Sequence, residues 1–406
     1  MDLLPILSTL RRHKTAAFLI VLEIALTATI VCNALHLIGV RLERLLADNG
    51  LPEAELLVLT VRGTRNDDNS DAKTAQDLQQ LRALPGVKAV ALSNQVIFGR
   101  NSNNTTVTRT KDQTAGDRFP SAQYSGDESL MQAMGLKLVA GRNYTPEEYQ
   151  FESRISGGEE VRVPQIIISR ALAEAMFPGG DAVGKTLYAF GETESTVIGV
   201  IDRLPHPYPG RIDGRKGYAM LLPWRPNYRG ANFILRVDPA QQDAVLKAAP
   251  GIIQGVDPTR IVDSARRLTE MRSAFYAQDR AMAWLMGGVI VALMLVTAFG
   301  IVGLASFWVQ QRTRMIGTRR ALGATRGQIL RYFQIENSLL SGIGIVLGMA
   351  GALALSVLLM TQYELPRLPW AYLPAGALAL WLLGQIAVLA PARRAAALPP
   401  VAALRS

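Results

Sequence analysis

The sequence predicts a membrane α-helical protein: four transmembrane helices, with a large α+β extracytoplasmic domain inserted on a two-helix stalk. Three observations predict it. Four apolar runs, 16–40, 281–309, 333–361 and 371–392, each reach the length that crosses a bilayer. About 240 residues of mixed pattern separate the first run from the second, enough for a domain. The basic clusters, at 11–14, 310–331 and 393–394, all flank the same predicted side, which the positive-inside rule places in the cytoplasm.

Composition agrees. The chain has 406 residues, 49% of them apolar, and a net charge of +10. That charge is topological rather than a nucleic-acid surface. Arg11, Arg12, Lys14, six arginines in 310–331, Arg393, Arg394 and Arg405 flank spans, which leaves the large domain near neutrality. The single cysteine, Cys32, lies in the first span, so the outer domain has no disulfide. Residues 1–15 form a cytoplasmic N-terminus. The run after them is long and lacks a convincing small-residue cleavage site, so it reads as a retained anchor, not a signal peptide.

The first span and its stalk occupy 16–50, with Leu42, Leu45 and Leu46 continuing the helix to a stop at Gly50 and Pro52. Glu23 sits mid-span. An ionised carboxylate there costs about 2.5–3.5 kcal/mol on insertion scales, so Glu23 is expected at a helix interface or protonated, in a structural role. Asn33 and His36, farther out, are placed to bond across helices. The domain spans 51–262. Strand patterns cover 55–61, 87–98, 163–168, 196–201 and 233–237, and helix patterns cover 74–83, 169–176 and 241–248. Residues 66–73 and 99–104 read as polar loops.

The returning stalk and second span cover 263–309. Leu268, Met271, Phe275, Met282 and Leu285 recur at a spacing near 3.5, which predicts a seam running unbroken into the span. Segment 310–331 follows, QQRTRMIGTRRALGATRGQILR, with six arginines and no acid. Its I-G-x-R-R-A-L-G-A pattern predicts a short amphipathic helix with Ala321, Leu322 and Ile329 on its apolar side. Residues 332–392 hold the last two spans, where Gly344 and Gly348 form a GxxxG spacing suited to close packing. Glu336 is expected near Arg331 or Arg320. The cytoplasmic tail is 393–406.

Catalytic and metal chemistry finds little support. GGDAVGKT, at 179–186, spells a phosphate-binding loop, but a helix pattern precedes it and a strand pattern follows, the reverse of the strand–loop–helix that holds phosphate. His13, His36 and His206 fall in different compartments, no Ser/His/Asp set is visible, and Trp224 is expected at the edge of a lobe. No cofactor or metal is expected, and the chain is not expected to be an enzyme.

Several ordered stretches resemble one family. MIGTRRALGATRGQIL resembles the cytoplasmic segment, and PARRAAALPPVAALR the C-terminal ending, of MacB/FtsX-type ABC transporter permeases. LVAGRNYTPEE, PQIIISRALAEAMFPGGDAVGKTL and STVIGVIDR resemble runs of the MacB-like periplasmic core domain. Met315 departs from the glutamate many members carry there. The resemblance implies a permease in the bacterial inner membrane, with a porter-like lobe and an inserted second lobe in the periplasm. It implies a dimer with a second copy or homologue, and an ABC ATPase docked on Ile316, Gly317, Arg319, Arg320, Ala321, Leu322 and Gly323. With about 15 residues before the first span, that ATPase is expected to be a separate chain. A periplasmic adaptor and outer-membrane channel are further expected partners, alongside membrane lipid. Export of antibiotics, peptides or similar cargo is the function implied. FtsX-like regulation of extracytoplasmic hydrolases and lipoprotein extraction of the LolC/LolE kind are the alternatives.

Overall fold

The computed structural model describes residues 14–64, 69–99, 101–111, 118–156, 163–209, 217–363 and 367–397. Arg11, Arg12 and His13, the tail from 398 with Arg405, and the loop residues 66–68 and Arg100 lie outside them. The chain divides into two compact units, residues 46–277 and residues 1–45 with 278–406.

In chain order the elements begin with α1 (Lys14–Leu46), β1 (Leu56–Gly63), α2 (Ser70–Arg82) and β2 (Val87–Ser93). Then come β3 (Asn104–Thr108), β4 (Arg118–Ser125), α3 (Leu130–Met134), β5 (Leu138–Gly141), β6 (Gln150–Phe151) and α4 (Glu152–Ser156). Next are β7 (Gln165–Ser169), α5 (Arg170–Met176), β8 (Thr186–Phe190), β9 (Thr193–Ile201), β10 (Ala219–Leu222) and β11 (Trp224–Arg225). The domain closes with β12 (Asn232–Val237), α6 (Gln242–Val256), β13 (Arg260–Arg267) and α7 (Leu268–Phe275). Last are α8 (Ala277–Gln311), α9 (Thr313–Ala321), α10 (Arg326–Tyr363) and α11 (Tyr372–Ala397).

The outer unit is built on two large sheets, beside a two-stranded pairing of β11 with β6. One has the order β13-β1-β12-β2, antiparallel throughout, so that β1-α2-β2 and β12-α6-β13 interlock as two split β-α-β units. Its core joins Leu57, Leu59, Val90 and Phe233 to Leu81 of α2 and Val245 and Ile253 of α6. The second sheet comes from the chain between β2 and β12. Its order is β5-β9-β7-β10-β4-β3-β8, and β8 also pairs with β9, which curls the sheet around Ile166, Ile168, Leu172, Val197 and Met220.

Local chemistry explains where expectation and structure part. β2 ends at Ser93, short of Phe98, because Asn94 and Gln95 turn to donate to the Gln123 carbonyl and Phe98 adopts φ +62°. Ser70 to Lys73, read as loop, begin α2, where the Thr74 hydroxyl donates back to Ser70. β13 crosses the expected domain boundary at 262. As an outer strand with several polar residues, RIVDSARR carries no apolar alternation to announce it.

The stalk seam is interrupted. α7 stops at Phe275 and α8 starts at Ala277, with Tyr276 at φ −91° and ψ +10° between them. Tyr276 is buried, and its ring and that of Phe275 pack on Phe98. Packing both rings of a consecutive aromatic pair on one cluster turns the backbone out of the helical path. Leu268 is buried and Met271 half-buried, whereas Met282 and Leu285 are exposed, so the five positions form no single seam. α1 stops at Leu46, before Gly50.

In the membrane unit, all four long helices have the length and apolar character of spans. α1 touches the other three. Thr27 and Thr297 share a buried 2.8 Å hydrogen bond to α8. Thr29 Oγ1 and Asn33 Nδ2 donate to the Gly348 and Ala352 carbonyls of α10. The His36 ring lies 5.3 Å from that of Tyr372, the first residue of α11. Gly344 and Gly348 form a close-packing face: a Cβ on either would stand 2.8 Å from Ile24 and 2.4 Å from Ala28. Beyond the apolar run, Arg41 of α1 and Asp279 of α8 form a 2.7 Å ion pair.

Candidate coupling site between the second and third membrane helices

The segment 310–331 is a helix–turn–helix, not one amphipathic helix. Backbone chemistry sets both sides of the turn. At the end of α9, Gly323 takes φ +96°, its N–H donates to the Arg320 carbonyl, and the Ala324 N–H donates to the Arg319 carbonyl. This pair of bonds is a Schellman closure, and it needs a left-handed residue, which glycine supplies without strain. At the start of α10, Thr325 and Gln328 exchange side-chain and backbone bonds at 3.3 and 2.8 Å, a capping box. The T-x-x-Q signal was present in the sequence, inside the stretch read as one helix. Ile329 therefore belongs to α10.

The seven residues expected to dock an ATPase divide between an inner and an outer set. Ile316 and Gly317 are buried, Ile316 in a cluster with Ile329, Phe333, Ala392 and Ala395 of α10 and α11. They hold α9 to the bundle and offer no outward surface. The Arg319 guanidinium lies 4.9 Å over the Tyr332 ring, and Arg320 Nη1 donates to the Ala324 carbonyl at 3.3 Å. Ala321, Leu322 and Gly323 are exposed, with Leu322 at 84%. The apolar side expected of Ala321, Leu322 and Ile329 is thus split: Ile329 faces the core, and Leu322 stands at the tip.

Sequence reasoning missed the anchor. Arg312, the residue before α9, is buried, and its Nη1 donates to both carboxylate oxygens of Glu336 at 3.0 and 2.8 Å. Glu336 therefore pairs with Arg312, and with neither Arg331 nor Arg320. Arg312 lies one turn beyond Trp308 on α8 and stacks over its ring at 5.5 Å, which turns its guanidinium inward. Nothing in the spacing of six arginines singles out this one.

Glu23 lies at the α1–α8 interface against Gly300, where a Cβ would stand 2.4 Å from its Oε2. The site is steric: glycine opens room for a carboxyl. GGDAVGKT runs from the end of α5 into β8, and Gly179 and Gly184, at φ +74° and +82°, have nothing near their missing Cβ atoms. It is a turn into a strand. Trp224 is buried in the second sheet's core against Phe190, not at an edge, and His206 accepts a 3.0 Å bond from the Tyr208 N–H as part of a loop. Among the described residues, no cluster of His, Cys, Asp and Glu is arranged to hold a metal.

Two family models match the chain: the MacB-like periplasmic core domain over residues 34–252, more than half of it, and the FtsX-like permease C-terminal region over residues 287–400. The uncharacterized ABC transporter permease YknZ of Bacillus subtilis is 25% identical over 82% of this chain and 79% of its own length. The macrolide export ATP-binding/permease protein MacB of Chromobacterium violaceum is also 25% identical, over 68% of this chain but only 42% of its own length. Among solved structures, the periplasmic region of MacB from Actinobacillus actinomycetemcomitans aligns at a TM-score of 0.35 and 12% identity, over 57% of this chain and 96% of that one.

Proposed function

The chain belongs to the ABC transporter permeases that join a MacB-like periplasmic core domain to an FtsX-like C-terminal region, and from that premise we propose that it transmits ATP-driven motion of a separate ATPase subunit to its periplasmic domain, exporting antibiotics, peptides or similar cargo. It is an inner-membrane protein with its large domain in the periplasm. The match to most of a relative named as a permease alone supports a separate ATPase. The name of the macrolide-export relative supports the cargo class. The permease works as a dimer with a second copy or a homologue, and an adaptor and outer-membrane channel complete the export route.

One observation carries the coupling role: a leucine 84% exposed at the tip of a turn whose base is anchored by buried Arg312, Ile316 and Gly317. A solvated arginine patch for lipid needs no leucine held in that place, whereas an apolar groove on an ATPase does. Leu322→Asp is expected to abolish capture of the cognate ATPase in a pull-down, because desolvating an unpaired carboxylate in an apolar groove costs several kcal/mol. Arg326→Gln is expected to leave capture within about twofold, as an exposed ion contact contributes about 0.2–1 kcal/mol. Retention by Leu322→Asp, with release when several arginines are neutralised, would show that docking is electrostatic. Co-purification of an adaptor and channel would support export; a murein hydrolase or a lipoprotein chaperone in their place would reject it.

A further inference from the structure

Near the coupling turn, all four membrane helices meet around a small cavity. Its walls are Ile20 of α1, Ile301 and Trp308 of α8, Phe333 of α10 and Val388 of α11, with Glu336 and Asn337 completing it from α10. Every one of these side chains is buried. With Ala305 of α8 the wall has eight residues, and three of them, Trp308, Glu336 and Asn337, carry polar groups, whereas empty cavities are lined by apolar groups.

The polar groups are also incompletely bonded within the protein. Trp308 Nε1 and Asn337 Nδ2 are buried donors with no acceptor in the chain. Beside them Arg312 spends Nη1 on both oxygens of Glu336 and leaves Nη2 without an acceptor. One turn along α10, Ser341 Oγ has no partner either. Gly384 of α11 approaches these two side chains so closely that a Cβ there would stand 3.0 Å from Ser341 Oγ and 3.1 Å from Asn337 Nδ2. Leaving one such donor unsatisfied costs about 1–3 kcal/mol. Two in the wall of one void, Trp308 Nε1 and Asn337 Nδ2, point to a ligand that accepts from them.

We propose that this cavity is a built site for one structural water. The space open to the centre of a water-sized sphere is about 10 Å³, close to one water and too small for a larger ligand. An anion would meet the same donors, but the Glu336 carboxylate lines the same wall and repels it. Water fits both halves of the wall. It accepts from the Trp308 and Asn337 N–H groups and donates to Glu336. Its bonds join α8 to α10 beside the Arg312–Glu336 pair, so the helices on either side of the coupling turn are held by a hydrated joint. This assignment does not depend on ATPase docking.

The full chain in detergent or nanodiscs provides the test. Ultraviolet resonance Raman reports whether an indole N–H is hydrogen-bonded, and the parent spectrum minus that of Trp308→Phe isolates Trp308. A hydrogen-bonded band is expected, since the protein itself supplies that N–H no acceptor; a free N–H overturns the proposal. Asn337→Leu, alike in heavy-atom shape, gives a second reading that needs no Trp308 variant. In a dry site it removes an orphan donor and leaves the melting temperature unchanged or raised, which overturns the proposal. In a hydrated site it removes a partner of the water, and a lowered melting temperature is expected.

Discussion

Among the described residues, each unit buries one arginine–carboxylate pair, and the two are built differently. In the outer domain, Arg260 presents both terminal nitrogens to Asp77, one to each oxygen. Its Nη2 also donates to the Ile253 carbonyl, and its guanidinium lies 4.8 Å over the Tyr228 ring. The pair ties β13 to α2 and α6 from inside, and both side chains are fully buried. In the membrane bundle, Arg312 grips both oxygens of Glu336 with Nη1 alone and leaves Nη2 over. A fork meeting a fork fixes orientation as well as distance. A single-nitrogen grip fixes distance and leaves the guanidinium plane to Trp308. The first arrangement suits a static lock within a domain. The second suits a joint where α8 gives way to α9.

The largest effect expected on breaking either pair is in the domain. Asp77→Leu strands a guanidinium with no route to water, and a loss of about 5 kcal/mol, the upper end for a broken buried pair, is expected from chemical denaturation of the full chain. Glu336→Leu is expected to cost nearer 3 kcal/mol, because Arg312 stands at the end of its helix and its long side chain can reach the interface. Equal losses would erase the distinction. The double change Arg312→Met with Glu336→Leu is expected to recover most of the stability lost by Glu336→Leu, as apolar replacement of a whole buried pair often does.

A third buried carboxylate sharpens the comparison, because it has no arginine fork. Asp127 accepts the Ser129 N–H at 2.9 Å and a long bond from the Leu92 N–H, while burial pushes its pKa up to about 6. Bonds from those N–H groups and the charge of Arg82 pull the other way and are outweighed; Glu128 adds to the rise. The folded state therefore holds the Asp127 proton more tightly than the unfolded chain. Its stabilising contribution is complete below the unfolded value of 3.8 and is lost as pH rises through about 6. The difference between the folded and unfolded carboxyl corresponds to about 2–3 kcal/mol. Melting temperature is thus expected to fall between pH 4.5 and 6.5, with the slope flattened in Asp127→Asn. An unchanged slope in that variant would assign the dependence to other groups.

The smallest effect is expected at Lys185. Its loop leads into β8 with open space around Gly179 and Gly184, so Lys185→Ala should change stability by no more than about 0.5 kcal/mol. ATP hydrolysis by the assembled transporter is likewise expected to stay at the parent rate. Lost hydrolysis would mean that the loop binds nucleotide after all.

Much of the architecture was legible because its signals are local. An apolar run declares a span within about 20 residues. The strands at Leu56–Gly63 and Asn232–Val237 and the helix at Arg170–Met176 showed their own period. The turn at 322–325 was also written locally, in a glycine able to take positive φ and in Thr325 with Gln328, although the apolar pattern that bridges it misled the reading. The polar edge strand Arg260–Arg267 gave no such signal. The helix break at Tyr276 was hidden because an aromatic residue is compatible with a helix until Phe98 offers it a place to pack.

The four spans, their orientation, the inserted α/β domain and the arginine-rich segment between the second and third spans are all legible in the chain alone. It took the packing of the folded chain to bring Arg312, of six arginines, to Glu336 across 24 residues of chain. That packing alone turned Ile316 and Gly317 inward, left Leu322 outside, and paired Arg260 with Asp77 across 183 residues. The physical reason is one of range. Hydropathy, capping and charge bias act within a few turns of chain, whereas the partner of a buried charge is chosen by which helices pack together.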